Sequence, residues 1–186
     1  MPLTGVILIF NSVYYLVRVP FDQQIKVYSI IGVFTVILPI FFTLFLLFFK
    51  KIKSMTLIDG KDRLLPYIMA AIAYTMNYHL LTKLKFPEII TQYLLGTTLA
   101  LVIALIINIR WKISIHMIGI GGIVALILIL ATKFQLDYKY IIGAIMLSGI
   151  IGTARLKLDS HLPLQIYSGF IMGFLSIFIV YIPILL

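Results

Sequence analysis

The sequence predicts an all-α, polytopic integral membrane bundle of six to seven transmembrane helices. Three observations predict it. Of 186 residues, 62% are hydrophobic and only 11% charged, whereas soluble globular chains carry about 45–50% apolar and about 25% charged residues. The mean hydropathy is +1.15. Long apolar runs alternate with short segments that hold nearly all the charge. A helix needs about 20 residues to cross a hydrocarbon core about 30 Å thick, so the chain has room for about seven spans and short connections. No length remains for a soluble catalytic domain. The chain therefore reads as a single transmembrane domain over residues 1–186.

The first predicted helix covers residues 3–19 and closes at Arg18 and Pro20. It is short, and a re-entrant path is its alternative. The second, 27–49, is rich in Phe and carries Pro39 in its middle, which predicts a kink. A basic stretch follows, Lys50-Lys51-Ile52-Lys53, and then Asp59-Gly60-Lys61-Asp62-Arg63. The third helix spans 64–82, with Pro66 in its first turn, where a missing N–H costs little. The fourth runs from Pro87 to Ile109, and the last three cover 113–132, 139–154 and 162–186. Small residues recur at four-residue spacing: Ala144, Ser148 and Gly152, then Gly169 and Gly173, with Gly119, Gly121 and Gly122 nearby. Such spacing lets helix backbones approach closely in lipid and predicts one packing unit from the last three helices.

Composition excludes several chemistries. With no cysteine there is no disulfide, thiolate metal site or thiol nucleophile. The six carboxylates (Asp22, Asp59, Asp62, Glu88, Asp137, Asp159) all fall in loops or at helix ends, so none marks an intramembrane proton relay. That disfavours a proton-coupled transporter and an intramembrane aspartyl protease. No paired acidic motif is present to hold magnesium, and no metal or other cofactor is expected. No Gly-x-x-x-x-Gly-Lys phosphate loop occurs. The start Met1-Pro2-Leu3 lacks the charged n-region of a removed signal peptide. A net charge of +9 without a dense basic stretch clear of the bilayer points to anionic headgroups and not to nucleic acid.

Alternating spans place three groups on one side. Arg63 precedes the third helix; Arg110, Lys112, Ser114 and His116 open the fifth; Arg155, Lys157 and His161 lie between the sixth and seventh. Nine Lys and Arg fall on this side and six on the other, too thin a margin to fix the orientation. Two of the groups lie at helix N-termini, where free N–H groups and the helix dipole favour an anion. Two imidazoles beside clustered cations can supply a nucleophile and a proton donor for phosphoryl transfer. Taken singly, Arg110, Lys112 and Lys157 read equally as snorkelling anchors. His79, on the opposite side, reads as interfacial, and Asn77 and Asn108 as interhelical hydrogen bonders.

The segment Ala154-Arg155-Leu156-Lys157-Leu158-Asp159-Ser160-His161-Leu162-Pro163-Leu164-Gln165, followed by Gly169, resembles the third signature of the type 2 phosphatidic acid phosphatase superfamily. That signature reads Ser-Arg, five residues, His, three residues, Asp, then a glycine-containing helix. Arg155 and His161 match in register, while Ala154 replaces Ser and Gln165 replaces Asp. The second signature, Pro-Ser-Gly-His, is echoed in Ile113-Ser114-Ile115-His116. The first, Lys with six residues before Arg-Pro, is loosely similar to Lys61-Asp62-Arg63-Leu64-Leu65-Pro66, where Lys53 or Lys61 stands in for the displaced lysine. The resemblance covers a core of about 60–186 and marks a divergent member. A helical hairpin lies between the first two signatures, where the family has an extramembrane stretch.

The resemblance implies a lipid phosphatase of a bacterial inner (cytoplasmic) membrane that works without metal through a phosphohistidine. His161 would be the nucleophile and His116 the proton donor to the leaving oxygen. Arg155 and Ser114 would hold the phosphate, with Arg63, Lys112 and Lys61 completing the cradle. In the family an Asp polarises the nucleophilic ring; here Gln165, one turn after His161, can accept from the ring N–H but carries no charge. Asp159 becomes a substitute if its loop folds back. The partner implied is a membrane lipid with a phosphate or diphosphate headgroup. A catalytically impaired relative that binds or translocates an anionic lipid is the alternative.

Overall fold

The computed structural model describes residues 2–52, 60–158 and 161–185, with side chains for 2–52, 63–158 and 161–183. Among the described residues the chain is helix and turn, without strand. In order it forms α1 (Pro2–Ser12), α2 (Tyr14–Val17), α3 (Phe21–Gly32), a π-helical turn (Val33–Ile37), α4 (Leu38–Phe48), α5 (Gly60–Lys83), α6 (Glu88–Asn108), α7 (Ile115–Phe134), α8 (Lys139–Lys157) and α9 (Pro163–Leu185). Among the described residues, five segments are long and apolar enough to cross a membrane: Phe21–Phe48, Glu88–Asn108, Ile115–Phe134, Lys139–Lys157 and Pro163–Pro183. This is an integral membrane architecture.

The count falls short of six to seven for two reasons. Helix α5 has 24 residues, but Asn77, His79 and its tyrosines dilute its apolar character. The helix expected at 3–19 breaks at Val13, whose backbone is extended, leaving α1 with 11 residues. Such a helix is about 16 Å long, half of a bilayer core.

Helix ends follow capping physics more than hydropathy. Pro20 stands before α3, and Asp22 sits in its first turn, where the dipole favours a carboxylate. The helix therefore begins six residues before the apolar run. The π-helical turn ends two residues before Pro39, the position at which the sequence predicts a kink. Proline cannot donate to the carbonyl four residues back, which belongs to Thr35. The Tyr74 hydroxyl donates to that carbonyl from α5, at 3.5 Å.

Helix α7 forms the centre: 72% of its spanning window is buried, against 11% for α3–α4 and for α8. It packs most closely on α9. A methyl group at Gly121 would fall on the Phe170 carbonyl, and one at Gly173 on the Ile118 carbonyl, so these backbones touch directly. Helix α8 buries only Ala144, Ser148 and Gly152, the small-residue stripe, and lies against α7 while barely meeting α9. The expected three-helix unit is thus a tight α7–α9 pair with α8 leaning on it. The outer faces are apolar, with Phe41, Phe45 and Phe48 exposed on α4 and Ile145, Met146 and Ile150 on α8. Exposed apolar area on this scale is what hydrocarbon covers.

Candidate active site

The α7–α9 contact fixes the geometry of the cationic end. Because Gly169 lacks a side chain, α9 approaches the start of α7; a methyl there would stand 2.9 Å from the Ser114 carbonyl. The Ser114 N–H donates to the Gln165 carbonyl at 3.3 Å. At the end of α8, a methyl at Gly152 would lie 3.5 Å from Ile166 and 3.7 Å from Met117. The end of α8 and the starts of α7 and α9 therefore meet at one place. Ser114, His116, Arg155, His161 and Gln165 are gathered there.

Gln165 holds the arrangement. It is the third residue of α9 and is buried. Its Oε1 accepts the Leu162 N–H at 3.1 Å, as the third residue of a capping box does. The same oxygen lies 3.2 Å from His161 Nδ1. Since the backbone N–H can only donate, the contacting atom is the amide oxygen, and His161 Nδ1 must donate to it. In the neutral ring Nε2 is then the nitrogen with the free lone pair, which is the atom a nucleophile needs. Burial is the main cause that holds the His161 pKa below the usual imidazole value. The positive charges of Lys112, Arg63 and Arg155 push in the same direction, against the Gln165 hydrogen bond. His161 is accordingly neutral near pH 7.

Those charges also locate the cations. Arg63 is buried at the start of α5 and acts on both Lys112 and His161. The Lys112 ammonium is held below its usual pKa first by partial burial and then by Arg63. Arg155 acts on His116 as well as His161. His116 itself is exposed in the first turn of α7. Ser114 precedes that helix but its hydroxyl does not cap it.

Seven of the eight predicted site residues are thus brought together: His161, His116, Gln165, Arg155, Ser114, Arg63 and Lys112. The side chain of Lys61 lies outside the described residues, as do Lys53 and Asp159. Arg110 is exposed. Lys157 borders the outer face of α8 beside Met146 and Ile150, away from the cluster, as an anchor does. His79 is exposed against Tyr78, toward the far end of α5. Among the described residues there is no group of three His, Cys, Asp or Glu.

Buried side-chain polar atoms without a protein partner mark the same place. Among the described residues they occur on Ser114 (Oγ), Arg155 (Nε) and Asn108 (Nδ2), and apart from these on Asn77. Buried polar atoms are nearly always paired, so three donors left open at one end of the bundle point to an acceptor-rich ligand. The interhelical hydrogen bond expected of Asn108 does not engage its Nδ2. Its position two residues before Arg110 was the only sequence signal that could have placed it here. No family model matches the chain, and neither a curated protein nor a solved structure is significantly similar to it.

Proposed function

We propose that the protein is a membrane lipid phosphatase that hydrolyses a lipid phosphate or diphosphate through a phosphohistidine. The observation that carries this reading is the fixed His161 ring, with Nδ1 bound to Gln165 and Nε2 free, among Arg63, Lys112 and Arg155. In the first step Nε2 attacks phosphorus and the bond to the lipid oxygen breaks. His116, protonated once the anionic headgroup is bound beside it, gives its proton to that leaving oxygen. In the second step water attacks the phosphohistidine, His116 takes the proton from the water, and inorganic phosphate leaves. The three cations and the uncapped start of α7 offset the charge on the equatorial oxygens throughout. In this reading α5 is a further span and α1–α2 a half-span that does not cross, which makes six crossings, the lower of the two numbers expected from the sequence.

The test is release of phosphate by purified protein from a panel comprising polyprenyl diphosphate, phosphatidate and phosphatidylglycerophosphate, with and without EDTA. Release that persists in EDTA and disappears in His161→Ala is expected. No release from the native protein, or equal release from the variant, removes the enzyme. The neutral Gln165 favours a second reading, a binder of anionic lipid without turnover. That reading expects lipid binding weakened by Arg155→Ala and no phosphate from any substrate.

A further inference from the structure

A cavity of about 160 Å³ lies between α5, α6, α7 and α9. Its upper wall includes Ile115, the residue between Ser114 and His116, and Ala104, one turn before Asn108. It continues down α7 past Ile118 and Gly119 to Gly122, and ends among Tyr74, Tyr93 and Pro2. From Ile115 to Gly122 is seven residues, or about 10 Å along the helix. Two of the polar groups on its wall are bound to backbone carbonyls: Tyr74 donates to Thr35 of the π-helical turn and Thr97 to Leu94 of its own helix. Such a space is apolar and takes hydrocarbon readily.

We propose that this cavity holds one apolar chain of an amphiphile whose phosphate occupies the cationic cluster. The proposal rests on the phosphate-site reading above and adds where the chain goes. The juxtaposition carries it: the apolar wall begins at Ile115, directly between two residues of the cationic end. The cationic side chains do not line the cavity, so a chain leaving a phosphate held by Arg155 and Ser114 enters it past Ile115. It need not cross α8, whose outer face is open to lipid. The chain runs parallel to α7, and its first eight or so carbons, at about 1.3 Å each, fill the length set by the helix rise.

The probe is decyl phosphate with a diazirine at the far end of its chain, added to the full-length protein in a zwitterionic bilayer and photolysed. Attachment is mapped by mass spectrometry. Labelling is expected on α6 between Tyr93 and Leu101 or on α7 between Ile118 and Gly122. Gly119→Leu and Leu101→Trp narrow the cavity from two different helices and should each lower labelling roughly tenfold, the size of an overpacking effect. Both variants should retain hydrolysis of methyl phosphate, which shows that they fold. Decanol with the same diazirine should label these positions far less. Attachment on Phe41 and Phe45 of α4 or Ile145 and Ile150 of α8, labelling of either variant equal to that of the native protein, or equal labelling by decanol overturns the proposal. Labelling in the cavity with no phosphate released removes the hydrolase and leaves the chain site standing. Hydrolysis without labelling in the cavity does the reverse.

Discussion

At the residue scale, Gln165 is the informative departure. A carboxylate in its place would hold the same ring and also stabilise the imidazolium. In serine protease triads, exchanging that kind of Asp for Asn costs about 10⁴ in turnover. Gln165→Glu keeps an acceptor for both Leu162 N–H and His161 Nδ1 while adding a negative charge. It should raise kcat and move the acid limb of the pH–rate profile to higher pH, because the charge raises the pKa of His161. In the native protein that pKa is depressed, so activity should survive below pH 6.5, where an ordinary imidazole is half protonated. The same depression means the folded state binds this proton less readily than the unfolded chain. Stability should therefore rise with pH from the folded pKa up to about 6.5 and then level off. Gln165→Leu leaves both donors without an acceptor; with the ring free to turn, kcat should fall about 10²-fold, measured as phosphate release. The pairing of His161 with Gln165 was legible from their four-residue spacing. The shared bond to Leu162 was not, because a capping box is recognised by a small polar N-cap and here the N-cap is Leu162.

At the element scale, glycine contacts decide stability. Gly173→Ala drives a methyl group into the Ile118 carbonyl, which cannot move without parting α7 from α9. A loss of about 3 kcal/mol or more is expected by thermal unfolding in detergent. Gly143→Ala on α8 meets nothing within 4 Å and should gain up to about 1 kcal/mol from helix propensity alone. The sequence showed both glycines in similar apolar runs, and only the helix phase told them apart: Ala144, Ser148 and Gly152 form the buried stripe and Gly143 lies off it. Helix existence was readable throughout, and several ends were not. Helices α4 and α5 stop with Lys50 and Lys85 in the left-handed conformation. Glycine usually announces such a stop. Polar first turns at Phe21 and Gly60 were likewise hidden from a hydropathy reading, because capping and dipole terms act there instead of burial.

At the scale of the whole molecule, the absence of cysteine makes sidedness directly measurable. Single cysteines at Lys51, Arg110 and Lys157 should react with a membrane-impermeant maleimide from one side, and at Lys85 and Lys133 from the other. Mixed reactivity within either set would separate the cationic groups and dismantle the site. That these groups share a side was legible because each pair is separated by a two-helix hairpin. Their convergence on one spot was not, since it depends on Gly169 admitting α9 against Ser114. The direct backbone contact of α7 with α9 has a further consequence for life in a real bilayer. Membranes differ in thickness, and proteins adjust by tilting and bending at modest cost. Here the outward-lying α3–α4, interrupted by its π-helical turn, and the loosely attached α8 are free to take up that adjustment. The two imidazoles ride on the pair that cannot flex, so their separation should hold steady while the surrounding lipid shortens or lengthens.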